Sequence, residues 1–145
     1  MGFSITIGQA EEIATGDSEV PSYFGVPALE RDDAPAFDLD EHTGHSNVRE
    51  ISYVAWDRFC HRVGLHRLFM NPKTGLMREH PGCAPITFEH VAIVEGAIEV
   101  WKKSHPDARP GWGDGQDEDL ARLLWLASWM HWALESCERP ALANR

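Results

Sequence analysis

One segment, residues 117–137, constrains the fold more than any other, because it predicts a long helix that is apolar around most of its circumference. Two stripes recur there at helical spacing. The first stripe contains Leu120, Leu124, Ala127, His131 and Leu134. The second contains Arg122, Trp125, Trp129 and Trp132. Such a helix is usually buried in a core or at a subunit interface. A stripe of tryptophans beside an arginine also suits stacking on a planar ligand, so both interpretations stay open.

Two further helices are predicted from capping residues and apolar spacing. One runs over about 52–63, with Ser52 as its N-cap and Gly64 directly after it. The other runs over about 88–103 and is capped by Thr87. Together with the helix over about 117–137, these elements form the expected helical body.

The N-terminus predicts a short strand, because Phe3, Ile5 and Ile7 alternate with polar residues. A second strand near 19–26 or 35–39 is expected to pair with it. The predicted fold class is therefore α+β, with three main helices, a small N-terminal β element and long loops.

The 145 residues suffice for one domain, and the charge is unevenly distributed. Residues 1–50 contain 11 of the 23 acidic residues and 2 of the 13 basic ones, a net charge of −9 out of −10. We expect a single domain over 1–145, in which an acidic strand and loop arm (1–45) lies on a helical body (46–145). An acidic surface repels phosphate backbones, which argues against sequence-specific nucleic-acid binding.

Cysteine usage and hydropathy bear on the compartment. The three cysteines form no CxxC motif, which favours free thiols in a reducing cytoplasm. No apolar run approaches the length of a membrane span, and the first residues lack the basic start of a signal peptide. A cytoplasmic location is expected.

The loop 109–113 is the part of the sequence that most resembles a ligand site. Arg109 and Trp112 offer a guanidinium and an indole just before a helix N-terminus, a combination that can hold an anion and stack on a base. With Arg122 and Trp125 they form the predicted ligand-binding set. The alternative is that Trp112 fills the space between two helices while Arg109 lies at the surface.

A metal site is the second chemical hypothesis. His42 and His45 lie in a run with three carboxylates, and His80 is a possible third ligand for zinc or another divalent ion. The alternative is a polar loop without a metal. His80 also lies close in sequence to Cys83, which permits a thiol nucleophile or a cysteine packed as a small apolar residue.

Two stretches carry a family resemblance. Residues 75–83 (GLMREHPGC) and 120–126 (LARLLWL) resemble parts of small uncharacterised proteins encoded by bacteriophages and prophages. The resemblance extends over residues 50–140. It implies an intracellular accessory protein in a host–phage setting, and it transfers no catalytic residues.

The leading functional hypothesis is a non-catalytic binding protein, expected to be a homo-oligomer without a cofactor. Its partner would be a host protein, or a small planar ligand such as a nucleotide that it sequesters. The sequence contains no P-loop, GxGxxG, GxSxG or HExxH motif. One alternative is a metal-dependent hydrolase that uses the His-rich loop, and another is a structural virion or assembly protein.

Overall fold

The computed structural model of the protein describes residues 1–16, 19, 23–35 and 45–145, which form four helices and six strands. The helices are α1 (Tyr53–Val63), α2 (His66–Met70), α3 (Phe88–Ser104) and α4 (Glu118–Ser136). The strands are β1 (Gly2–Gln9), β2 (Glu11–Ile13), β3 (Tyr23–Gly25), β4 (Val48–Ser52), β5 (Gly82–Pro85) and β6 (Pro140–Asn144). The α+β class is confirmed, and the three main helices lie within one residue of their predicted bounds.

The predicted capping residues explain these bounds. The Ser52 hydroxyl accepts a hydrogen bond from the N–H of Ala55, and Gly64 ends α1 in the left-handed conformation with φ of 75°. The Asp117 carboxylate accepts a hydrogen bond of 2.8 Å from the N–H of Leu120. Each cap satisfies a backbone group that the helix itself leaves unpaired.

A four-stranded antiparallel sheet has the order β4-β1-β6-β5, so β1 lies in its interior. The expected pairing of the first strand with one near 19–26 is wrong, because β3 pairs with β2 in a separate two-stranded sheet. Most of the alternative at 35–39 lies outside the described residues. The true partners of β1 are β4 and β6, and the register sets Ile7 opposite Leu142. Local sequence patterns do not report contacts between residues so far apart in the chain.

The first nine residues belong to the expected arm over 1–45, and their apolar side chains pack in the core. Ile5 and Ile7 are fully buried under the helices. The side chain of Asn47 also links the segment around Pro27 to β1. Its amide group donates hydrogen bonds to the carbonyl oxygens of Ile7 (2.9 Å) and Pro27 (3.1 Å). β1 thus shares the core of the helical body, and the division at residue 45 and the single-domain assignment both stay predictions.

The tryptophan stripe of α4 forms the centre of this core. Trp129 has 0% of its surface exposed and Trp125 has 2%. The other stripe of the same helix is less buried, since Leu124, Ala127 and Leu134 are only partly covered. Burial of large aromatic side chains supplies much of the hydrophobic stabilisation in such a core. Among the described residues, no helix has both the length and the apolar composition needed to cross a bilayer.

The two faces of the four-stranded sheet differ in the size of their side chains. The inner face packs on the helices and carries Phe3, Ile5, Ile7, Ile51, Ala84 and Leu142. The outer face carries Ser4, Thr6, Gly8, Ala141 and Ala143, which alternate with the inner residues along β1 and β6. The hairpin formed by β2 and β3 lies over this outer face and contacts β5 and β6.

Candidate functional site

A slot of about 300 Å³ lies between the outer face and the β2–β3 hairpin. Its walls are mostly apolar, and most of the polar groups along it are hydroxyls and one guanidinium. The lining side chains that matter to its chemistry are Ser4, Thr6, Ile13, Tyr23, Val26 and Arg145. Concave, largely apolar sites with a few polar groups are the usual form of small-molecule sites, and this volume is at the small end of their range.

The slot exists because the residues beneath it are small. The side chains that β1 and β6 direct outwards are short, whereas a sheet core of aliphatic residues would fill this space. Gly8 also lets the hairpin approach closely, since a Cβ there would lie 3.1 Å from Cγ1 of Val26. Val26 is itself buried against Ala141 and Ala143. Val26 thus holds the hairpin against the sheet, and the slot lies beside this contact.

Arg145 and Tyr23 meet at the wall of the slot. The Arg145 guanidinium lies over the Tyr23 ring at 3.9 Å from its centroid, and its Nη1 donates a hydrogen bond to the phenolic oxygen. The main chain of Arg145 is held by Ser4, whose N–H donates to its carbonyl oxygen at 2.8 Å. A cation positioned beside an aromatic ring at an apolar cavity can pair with an anionic group of a bound molecule.

A hydrogen-bonded chain fixes the loop next to the slot. The amide nitrogen of Asn144 donates to the carbonyl oxygen of Glu79 (3.0 Å), so its amide oxygen faces Nδ1 of His80 at 2.6 Å. His80 therefore donates from Nδ1, and its Nε2 accepts from the Tyr53 hydroxyl at 3.0 Å. The ring of Phe3 packs edge-on against Tyr53 and His80. This chain ties the segment before β5, which lines the slot, to β6 and α1.

The structure does not bring the four predicted ligand-binding residues into one site. Trp112 and Arg122 do meet, with the guanidinium 4.8 Å from the indole centroid, but Arg122 is only 7% exposed. Trp125 is buried, and its indole N–H donates to the carbonyl oxygen of Ser46 at 2.9 Å. The surroundings of this indole are already filled, so it presents no open face on which a ligand could stack.

Arg109 is exposed and lines a separate surface groove of about 580 Å³ between the end of α3 and the start of α4. The charges in this groove are mixed. Arg62 forms two hydrogen bonds to the Asp119 carboxylate, at 2.7 and 2.9 Å, which raise the pKa of Arg62. Asp117 uses one oxygen as the α4 cap and accepts a bond from the Trp101 indole with the other, at 2.7 Å. Asp117 and Asp119 are thus engaged within the protein, and the negative charges along the groove oppose an anionic ligand beside Arg109.

The predicted metal ligands lie in different places. His45 lies three residues before β4, and its Nδ1 is 2.6 Å from the carbonyl oxygen of Ala34. His80 binds Tyr53, which directly follows β4, so the two histidines are found near opposite ends of this strand. His42 lies outside the described residues. The structure therefore does not join His45 and His80 around one ion.

Cys83 and His80 do not form a nucleophile and base pair. His80 binds Asn144, which faces the helices, whereas Cys83 lies opposite Ala143 and packs in the outer-face cluster. Burial raises the pKa of the Cys83 thiol, which disfavours the thiolate that nucleophilic chemistry requires. The interpretation of Cys83 as a packed apolar residue fits these contacts better.

Comparison with protein-family models, with curated proteins and with solved structures finds no match for this chain.

One sequence pattern that points to the slot was missed, namely the alternation of small side chains near the C-terminus. In residues 140–144, small side chains alternate with Leu142 and Asn144, as expected for a strand with one crowded face and one open face. Combined with the alternation in β1, this pattern predicts that these two strands direct only small side chains to their outer face. Arg145 directly follows that strand and supplies the charge.

Proposed function

We propose that this protein is a non-catalytic binding protein that holds a small planar molecule with one anionic group in the slot between the outer face and the β2–β3 hairpin. The observation that carries the proposal is the apolar slot of about 300 Å³ with Arg145 and Tyr23 at its wall. Apolar walls favour the ring system, and the guanidinium favours a carboxylate or phosphate. Nucleotides belong to this ligand class. The accessory role in a host–phage setting, implied by the family resemblance, is part of the same proposal.

The first test measures binding of naphthoate, a flat ring system with one carboxylate, by isothermal titration calorimetry. Naphthamide is the matched neutral ligand. We expect saturable binding of naphthoate, and binding of naphthamide that is at least about tenfold weaker, because a hydrogen bond to a charged group contributes more than about 1.4 kcal/mol. Equal affinities would contradict the role of Arg145, and absence of naphthoate binding would contradict the slot as a ligand site.

Two pairs of variants locate the site. Ser4→Phe fills the slot from its floor, whereas Glu50→Phe places the same ring opposite Ser4 on the neighbouring strand, outside the slot. Only the first should abolish naphthoate binding. Arg145→Gln should weaken binding, whereas Arg139→Gln, which removes an equal charge from another exposed position, should not. Loss of binding in both members of a pair would show an indirect effect and reject this site.

A second candidate function is self-association through α3, which would produce the homo-oligomer expected from the sequence. Its specific support is an exposed apolar face of that helix, where Ile93 is 48% exposed and Val100, two turns further along on the same face, is 66% exposed. Exposed apolar groups that cluster on one helix are a common feature of protein interfaces. Light scattering over a dilution series should detect a dimer or larger species, which Val100→Glu dissociates and Lys102→Glu leaves intact. A monomer at all concentrations would reject this second function and leave the slot proposal unaffected.

A further inference from the structure

Three potential metal ligands converge at the junction between α1 and α2. The Oδ1 atom of Asp57 lies 3.8 Å from Nε2 of His61 and 3.2 Å from Nε2 of His66. The two imidazole rings stack, with centroids 4.0 Å apart and planes at 16°. All three candidate ligand atoms lie within 4.8 Å of one another. Two imidazole nitrogens and one carboxylate oxygen form the donor set of many transition-metal sites.

The backbone fixes this arrangement before any ion binds. Asp57 and His61 are four residues apart on α1 and therefore project from the same face of the helix. Gly64 then turns the chain through its left-handed conformation, and His66 opens α2. The intervening Leu65 is buried, and its N–H donates to the Cys60 carbonyl oxygen at 2.8 Å. Only the side chains of the three ligands have to adjust.

The adjustment is small. Ligand atoms around a tetrahedral zinc ion lie roughly 3.4 Å apart, given bonds of about 2.1 Å. The Asp57–His66 distance already matches this value, and the Asp57–His61 distance exceeds it slightly. The side chains of Asp57, His61 and His66 are 53%, 60% and 41% exposed, so rotation of the rings towards a common ion meets little steric resistance.

We propose that Asp57, His61 and His66 bind one divalent transition-metal ion of the zinc class. Imidazole nitrogens favour zinc, nickel, copper and cobalt over magnesium and calcium, which prefer oxygen ligands. Three protein ligands leave a fourth position for water or an exogenous anion. This site is separate from the slot and from the predicted set of His42, His45 and His80. It does not depend on the proposed function.

The test is a calorimetric titration of the chelator-treated protein with Zn²⁺. We expect one ion per chain, and affinity at least about tenfold weaker in His66→Ala and in His61→Ala, since loss of even an indirect contact to a metal ligand costs that much. His131→Ala is the matched control. His131 is also an exposed helical histidine beside a carboxylate, Glu135 at 3.4 Å, but it is not part of the three-ligand group. The affinity of the His131→Ala variant for Zn²⁺ should equal that of the original protein.

Two further measurements make the result independent of folding. Far-UV circular dichroism should be the same for all variants, since at least 41% of each replaced side chain is exposed. Zn²⁺ should raise the melting temperature of the original protein and of His131→Ala, but not of the double variant His61→Ala/His66→Ala, because only an ion bound to the folded state stabilises it. The proposal is overturned if the original protein does not bind Zn²⁺, or if the double variant binds it equally well.

Discussion

The two faces of the four-stranded sheet are built from the same strands but differ in how closely their side chains are packed. Along β1, Ile5 and Ile7 point to the helices and are fully buried, while Ser4 and Thr6, which alternate with them, point to the hairpin. The inner face excludes water and specifies the fold through close packing. The outer face is covered by a short hairpin and retains an apolar slot. This contrast indicates that stability depends mainly on the inner face, whereas the proposed binding function depends on the outer one.

The largest expected effect comes from the inner side. Trp129→Ala removes a completely buried indole and should lower the free energy of unfolding by about 3–5 kcal/mol, through lost burial and the cavity left behind. Denaturant unfolding measures the change. Val54→Ala, which shortens an exposed apolar residue on α1, should alter it by less than about 0.5 kcal/mol. Similar losses in the two variants would mean that the indole stripe is not the core.

The next effect concerns Asn144, a polar residue of the inner face that binds Glu79 and His80 in the loop before β5. Asn144→Ala deprives the Glu79 carbonyl and His80 of their partner and should cost about 1–3 kcal/mol. A double-mutant cycle with His80→Ala isolates the coupling between the two side chains. We expect the two losses to be non-additive. Strict additivity would contradict the hydrogen bond between them.

Cys60, buried on the helical side, predicts a pH dependence. Desolvation raises the pKa of this thiol from 9.0 to about 12, so the folded state retains the proton longer than the unfolded state. The stabilisation is complete below pH 9 and is lost as the pH rises towards 12. From Cys60 alone, the free energy of unfolding should fall by about 1.4 kcal/mol between pH 7 and pH 10.

Comparison with Cys60→Ala isolates this contribution, because the other titrating groups are common to both proteins. The free energy of unfolding of the original protein should fall more steeply with pH above pH 9 than that of the variant. Parallel pH profiles would show that the thiol is less buried than the structure indicates.

The smallest effect on stability is expected at the outer face. Ser4→Phe should change the free energy of unfolding by no more than about 0.5 kcal/mol, because the added ring occupies the slot instead of the packed core. The same variant should lose naphthoate binding. Large destabilisation by Ser4→Phe, measured by the same unfolding experiment, would mean that the outer face is as closely packed as the inner one.

The helices were predictable from sequence because their signals are local. Ser52, Gly64, Thr87 and Asp117 lie at helix ends, where their chemistry satisfies backbone groups. The sheet was not predictable in the same way. Its central pairing joins the two ends of the chain, and β6 is a short segment rich in alanine, a residue that does not favour strands.

The sequence could not place the predicted ligand-binding residues relative to one another for a related reason. A stripe of Trp and Arg residues on a helix has the same sequence pattern whether it faces a ligand or a core. The contact of Trp125 with the Ser46 carbonyl, across 79 residues of sequence, decides in favour of the core. The slot depends on small side chains, which carry no chemical signature of their own until the strands are paired.

The most direct test of the account is an amide-resolved NMR titration of the protein with naphthoate. If the outer face is the binding surface, the largest chemical-shift changes should occur at residues that line the slot, including Thr6, Gly25 and Ala143. The amides of Trp112 and Arg109 should be unaffected. Shift changes centred on Trp112 and Arg109, with none along the slot, would contradict the account.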